Sequence, residues 1–172
     1  MQKKASAFVS HDLGYAKDKP GFAAVIIKEG KPLLSICSGV ANIASHEPIT
    51  DKSLFDLASV SKHFTASAIL MLHCKGMLNV TSPVHSVLPF FKHHNIKLLH
   101  LLHHTSGIPE FESIEGWKEC KSNEYMAELL SETELEFEPG LKHSYSNSNY
   151  ILLARVIEAL SGISMSAFMK KE

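Results

Sequence analysis

The feature that most constrains this chain is a serine and a lysine three residues apart at the start of an apolar segment. Ser59 and Lys62 open a run that continues to Leu72, and its length and composition predict a helix. Residues three apart lie on the same side of a helix, so the two side chains can exchange a proton. A serine hydroxyl is a poor nucleophile at neutral pH, and an amine whose pKa is lowered by burial can act as its base. The spacing selects Ser59 over Ser61, which has Phe64 three residues after it.

Serine and lysine at this spacing also occur without any function, because serine caps helices and lysine is common on their surfaces. The residues after Lys62 are apolar on nearly all sides, which predicts a buried helix with Cys74 as a buried thiol near its end at Gly76. A lysine at the start of a buried helix has to be paired or neutral, because removing a charged ammonium from water is costly. The start of such a helix also stabilises the negative oxygen that forms when an acyl carbonyl is attacked.

Composition describes an ordinary globular chain. The 172 residues are 45% hydrophobic and 20% charged, with a net charge of −1 and no basic run that would favour nucleic acid. No apolar stretch approaches the roughly 20 residues that a membrane span needs. The N-terminus starts basic but reaches His11 and Asp12 without the apolar core of a signal peptide, so we expect a cytosolic chain or a mature or partial form of an exported one. The three cysteines predict no disulfide framework.

The remaining pattern predicts a β-hairpin followed by helices. Two runs rich in β-branched and apolar residues, 22–27 and 33–40, are joined by a turn that contains Gly30. A loop over 41–56 then leads to the serine, and a helix is expected to precede the turn at 19–21.

Later helices are predicted by apolar spacing and by their caps, with no strand after the hairpin. They cover 98–104, the segment from Ser122 through Leu130, and the segment from Asn149 to Leu160. The predicted fold class is therefore α+β. We expect one domain over 1–172, composed of an N-terminal segment 1–20, a hairpin 21–41 and a mostly helical region 57–172.

Three segments stand in a recognisable order along the chain. They are Ser59-Val60-Ser61-Lys62, the stretch Leu101-Leu102-His103-His104-Thr105-Ser106-Gly107-Ile108-Pro109, and Pro139-Gly140 running into Tyr145-Ser146-Asn147. Upstream of them come Gly39-Val40-Ala41-Asn42 and Pro48-Ile49-Thr50, ahead of Leu54-Phe55. Together these segments resemble the serine β-lactamase family, and most closely its branch of class C β-lactamases, D-alanyl-D-alanine carboxypeptidases and esterases. The resemblance runs from about Gly21 to the end of the chain and is far more specific than any one motif alone.

The resemblance implies a β-lactamase/transpeptidase-like fold and acyl transfer through a covalent acyl-serine intermediate, on β-lactam, D-alanyl peptide or ester substrates. Ser59 would be the nucleophile and Lys62 its activating partner. Tyr145 would share proton transfer, since a positive neighbour can lower its pKa from the usual value of about 10. Asn147 would bind the substrate's amide and help to orient Lys62. No metal or organic cofactor is implied. The alternative roles are a turn tyrosine for Tyr145 and a helix cap for Asn147.

The chain departs from the family pattern at the third motif, a Lys-or-His, Thr-or-Ser, Gly triplet on a later strand. No counterpart of this triplet occurs before Glu172. In the family that strand lines the active site and supplies one N–H of the oxyanion hole. Removing one such donor typically lowers the catalytic rate about 10²–10³-fold. The predicted hairpin would also lack the C-terminal strands of its sheet.

Three explanations remain open for this departure: a fragment of a longer enzyme, a naturally short family member, or half of an assembly that pairs with a missing C-terminal half or a dimer partner. A second hypothesis for the function follows, namely a catalytically impaired homologue that binds a ligand or a protein through its cleft and exposed strand edge.

Histidines suggest a third hypothesis, a metal-binding helical protein. His100, His103 and His104 have helical spacings that could hold zinc, and His93-His94 lie nearby in the chain. No HExxH pattern accompanies them, and two of the three belong to the segment that resembles the family. No metal site is therefore predicted.

Overall fold

The structure is a computed structural model, and it describes residues 18–172. The helix expected before the turn at 19–21 lies outside the described residues. The chain divides into two compact units, with the boundary between Asp56 and Leu57. The prediction that the whole chain is one domain stays a prediction.

The first unit is built from two antiparallel strand pairs. Strands β1 (Phe22–Lys28) and β2 (Lys31–Ser38) form the predicted hairpin, which turns at Gly30 with a φ of +73°. Strands β3 (Val40–Asn42) and β4 (Glu47–Pro48) form a second, shorter pair.

The prediction of a plain loop over 41–56 is therefore wrong at its start. The side-chain oxygen of Asn42 accepts the backbone N–H groups of Ala44 and Ser45 at 2.9 and 3.2 Å. This local capping closes a tight turn and pairs the two short strands, which are too brief for an alternating pattern to reveal.

Apolar side chains of the hairpin are largely exposed. Val25, Ile26, Ile27 and Leu33 are each more than half exposed, whereas Leu34 is buried. The strands therefore form through turn chemistry and backbone pairing, with little apolar burial of their own.

The second unit is helical, and most of its apolar side chains are buried. Its α-helices are α1 (Ser61–Cys74), α2 (Leu98–Leu102), α3 (Asn123–Glu132), α4 (Asn147–Ser161) and α5 (Met165–Lys171). A single 3₁₀ turn at Ala58–Val60 leads into α1, and the segments between helices contain further 3₁₀ turns at Val84–Ser86, Phe111–Ser113 and Trp117–Glu119.

Helix α4 lies at the centre of the second unit, and α1, α2, α3 and α5 all pack against it. Leu152, Leu153, Val156 and Ile157 of α4 are fully buried in the main core cluster. Each such side chain contributes about 1.5–3 kcal/mol by leaving water. Among the described residues no strand follows β4, in agreement with the predicted order of elements.

Helix α1 is less buried than its apolar composition predicts. Ala68, Ile69 and Leu72 are buried, but Phe64 and Leu70 are 55% and 49% exposed. The prediction that this helix is buried on nearly all sides is wrong, because composition does not say how many neighbours a helix has.

The helix ends match the sequence signals more closely. Helix α1 ends before Gly76 as predicted, although Cys74 is exposed and not buried. The hydroxyl of Ser122 caps α3 by accepting the N–H of Tyr125 at 3.1 Å. Helix α4 begins at Asn147, two residues before the predicted start.

Membrane-spanning potential is weak in the described residues. No single helix there is long and apolar enough to cross a bilayer, and only α4 and α5 taken together, across a 68° bend, meet the requirement by length and composition.

Candidate active site

Ser59 lies in the single 3₁₀ turn that leads into α1, and Lys62 lies in the first turn of that helix. Ala58, immediately before the serine, has a φ of +43°. A residue with a Cβ adopts this left-handed region at a cost of about 1–2 kcal/mol, and such strain often accompanies functional sites. The strained residue thus lies directly before Ser59, in the turn that leads into α1.

The four residues predicted from the sequence converge on one point. Lys62 Nζ donates to Ser59 Oγ at 3.1 Å, and the Tyr145 hydroxyl is hydrogen-bonded to the same Oγ at 2.7 Å. Lys62 Nζ also donates to Asn147 Oδ1 at 2.6 Å. The amine and the phenol therefore both reach the serine oxygen, and Asn147 holds the amine from its other side.

Positive charge beside Tyr145 changes the acidity of its phenol. Hydrogen bonds to Lys62 and Ser59, of which the one to Lys62 has the larger effect, lower the pKa of Tyr145 below its ordinary value. The positive charge of Lys62 lowers it further, whereas burial and the negative charge of Glu110 raise it. Lys62 Nζ lies 5.0 Å from the centre of the Tyr145 ring. A phenol in this setting loses its proton more readily than a free tyrosine, as a base for the serine hydroxyl requires.

The site opens to the surface through a cavity of about 340 Å³. Ser59 is exposed and Tyr145 is 51% exposed, whereas Lys62 and Asn147 are partly buried. The serine oxygen is thus accessible to a ligand, while the groups behind it are held in place. His63, His104 and Tyr150 also line this cavity.

Two supporting residues were missed by the sequence reasoning. Glu110 accepts the backbone N–H of Asn147 at 2.7 Å through Oε2, and so anchors the first residue of α4. His104 contacts the ring of Tyr145 at 4.5 Å between centroids. Glu110 directly follows the Leu101 to Pro109 segment, but neither spacing nor periodicity relates it to Asn147. His104 was noted as a possible zinc ligand and as part of the segment that resembles the family, with no role beside Tyr145.

No cluster of three or more histidine, cysteine, aspartate or glutamate side chains arranged to hold a metal ion occurs in residues 18–172.

Comparison with known proteins identifies the family. Residues 6–172 match the family model described as Beta-lactamase. The chain belongs to the Beta-lactamase family. Over 153 residues it is 38% identical to penicillin-binding protein 4* of Bacillus subtilis (strain 168), an alignment that covers 85% of this chain and 34% of that protein.

Solved structures agree with this assignment. The crystal structure of SurE superposes with a TM-score of 0.83 at 29% identity, over 98% of this chain and 37% of that one. A penicillin-binding protein from Bacillus halodurans gives a TM-score of 0.78 at 28% identity, over 94% of this chain and 52% of that one. The family resemblance and the α+β, β-lactamase/transpeptidase-like fold predicted from the sequence are confirmed. The chain spans about a third of the length of the curated relatives it matches.

Proposed function

We propose that this chain carries the nucleophile of a serine hydrolase that transfers acyl groups through a covalent intermediate on Ser59. The observation that supports this most strongly is the meeting of Lys62 and Tyr145 at the oxygen of Ser59, at 3.1 and 2.7 Å. A nucleophile within hydrogen-bond reach of its base, with the base oriented by a further group, is the arrangement that nucleophilic catalysis needs.

The reaction proceeds in two halves. Ser59 Oγ forms a bond to the substrate's carbonyl carbon while its proton passes to the Tyr145 phenolate, next to Lys62. The leaving group then departs with a proton from the same pair, and the acyl group remains on Ser59. In the second half water attacks this ester, its proton passes to the pair, and Ser59 recovers its own proton as the acid product leaves. Each half forms one bond to carbon and breaks one.

Asn147 orients the site. Its Oδ1 accepts from Lys62, which fixes the amine beside the serine. Its Nδ2 is the group that would donate to the amide carbonyl of a bound substrate. The proposed substrates are β-lactams, D-alanyl peptides or esters, in keeping with a relative that is named a penicillin-binding protein.

Turnover of these three substrate classes tests the proposal. The purified chain is assayed with a chromogenic β-lactam, a D-alanyl-D-alanine peptide and a p-nitrophenyl ester, each beside Ser59→Ala and Ser61→Ala. We expect hydrolysis of at least one class, its loss by 10³-fold or more in Ser59→Ala, and near-parental rates in Ser61→Ala. Equal rates for the parent and Ser59→Ala would refute the assignment of the nucleophile.

A second candidate function is a binding module that does not turn substrate over. The exposed apolar side chains of the hairpin, such as Val25, Ile27 and Leu33, favour it because they offer a surface to a partner. Sedimentation of the parent beside Val25→Ser would show association through these strands. Absence of hydrolysis together with association that Val25→Ser abolishes would favour this function over the first.

A further inference from the structure

His104 contacts the segment that carries Tyr145 at three separate points. Its backbone carbonyl accepts the N–H of Ser144 at 2.9 Å, and its ring nitrogen Nδ1 accepts the N–H of Ser146 at 3.3 Å. Its ring lies against that of Tyr145, with centroids 4.5 Å apart and planes tilted by 31°. One residue therefore holds the backbone on both sides of Tyr145 as well as its ring.

The ring of His104 is itself anchored in the core. The side-chain Nδ2 of Asn149 lies 3.3 Å from Nδ1 of His104, while Oδ1 of the same amide accepts from the hydroxyl of Ser106. Asn149 and Ser106 are both buried. An amide N–H can only donate, so the two donors share the lone pair of Nδ1 and the proton of the neutral ring resides on Nε2.

The charges around His104 favour this neutral form. Burial lowers the pKa of His104, and the neighbouring His143 and Lys62 lower it further, while a hydrogen bond with the backbone of Ser146 and the charge of Glu110 act in the opposite direction. The ring also lies beside Tyr150, with centroids 5.1 Å apart. Near pH 7 the ring keeps the lone pair on Nδ1 that its hydrogen bonds require.

We propose that His104 is the positioning residue for Tyr145, holding the phenol oxygen against Ser59 and beside Lys62 without itself exchanging a proton with the substrate. The inference deepens the proposed function and rests on it, since the position of Tyr145 matters for turnover only if Tyr145 moves the serine proton. A misplacement of about 1 Å in a reacting group can cost about 100-fold in rate.

Two variants of His104 and one control variant separate the effect of its aromatic ring from that of its hydrogen-bond acceptor. His104→Phe keeps an aromatic ring beside Tyr145 but removes the acceptor at Nδ1. His104→Asn keeps an acceptor oxygen on a shorter side chain, and asparagine tolerates the positive φ of +55° found at this position. His103→Asn changes the exposed neighbouring histidine and serves as the matched control.

Two readouts are measured on each variant. The first is the rate at which a chromogenic β-lactam or an activated ester acylates Ser59. The second is the phenol pKa of Tyr145. It is obtained by subtracting the ultraviolet titration curve of the same variant carrying Tyr145→Phe from that of each variant. This subtraction is needed because the chain has four tyrosines.

We expect His104→Phe to slow acylation by about 100-fold and to move the phenol pKa of Tyr145 up toward its ordinary value. His104→Asn should retain more of both properties, and His103→Asn should change neither. The proposal is overturned if His104→Phe matches the parent in both readouts. Slower acylation with an unchanged phenol pKa would also overturn it, because His104 would then act elsewhere than on Tyr145.

A measurement on the parent chain covers the case in which His104→Phe does not fold. In protein labelled with ¹⁵N-histidine, the ring of His104 should show an unprotonated Nδ1 and a protonated Nε2 at pH 7; a protonated Nδ1 would overturn the proposal. If the parent chain is not acylated at all, the proposed function fails, while the phenol pKa of Tyr145 still decides whether His104 positions it.

Discussion

The hairpin unit and the helical unit depend on different forces. In residues 18–56 the strands pair through turns and backbone hydrogen bonds, and apolar side chains such as Ile26 and Ile27 stay exposed. In residues 57–172 the helices surround α4, and side chains such as Leu101 and Leu153 are completely buried. All four predicted site residues belong to the helical unit. Apolar burial therefore supports the site, whereas the hairpin draws little stability from its own packing.

Among changes that leave the nucleophile in place, the largest effect should come from removing the phenol oxygen of Tyr145. Tyr145→Phe keeps the ring and loses the base, so acylation should fall by about 10²–10⁴. In the parent the rate should rise with pH and level off above the pKa of Tyr145, which lies below the usual value of about 10, because only the phenolate accepts a proton. The pH profile of acylation checks this. If Tyr145→Phe keeps the parental profile, the base lies elsewhere.

Shortening one leucine in each unit tests the difference in stability between them. Leu101→Ala removes a fully buried side chain and should cost about 2–5 kcal/mol of unfolding free energy. Leu33→Ala, at a position that is 51% exposed, should cost about 0.5 kcal/mol or less. Urea titration followed by circular dichroism measures both. Equal losses would show that the hairpin is packed as firmly as the helical unit.

Two glycines provide a matched pair at positive φ. A Cβ on Gly107, where φ is +80°, would overlap the backbone oxygen of Phe137, whereas a Cβ on Gly30, where φ is +73°, meets nothing within 4 Å. Gly107→Ala should therefore cost about 3 kcal/mol or more, and Gly30→Ala only the backbone strain of about 1–2 kcal/mol. Urea titrations of the two variants that show similar losses would contradict this difference.

A small effect on stability is expected beside the nucleophile. Ala58→Gly removes the penalty for a φ of +43° but adds chain entropy to the unfolded state, so the free energy of unfolding should change by less than about 1 kcal/mol. Acylation by a chromogenic probe should nevertheless slow, because the turn that contains Ser59 becomes less rigid. Unchanged acylation would show that the turn does not need its strained alanine.

Much of the fold could be predicted from local signals in the sequence. The turn at Gly30 predicted the hairpin, and the cap at Ser122 predicted the start of α3, because each acts over a few residues. The β3–β4 pair was missed because Asn42 closes it through side-chain hydrogen bonds in a segment with no alternating pattern. The exposed face of α1 was missed because packing between helices decides it.

The residues of the candidate site also differ in whether local sequence signals could relate them to one another. Ser59 and Lys62 are linked by helical spacing and could be related from the sequence alone. Tyr145 and Asn147 are distant in the chain, and only the resemblance to the family connected them to the serine. His104 acts through contacts that depend on the tertiary fold, which no spacing in the sequence records.

The most direct test of the account is the intact mass of the purified chain after incubation with a β-lactam and, separately, with an activated ester. We expect one acyl group per chain on the parent and on Ser61→Ala, and none on Ser59→Ala. A parent that is folded by circular dichroism, stays unmodified and hydrolyses neither probe would contradict this, since Lys62 and Tyr145 would then not make Ser59 a nucleophile.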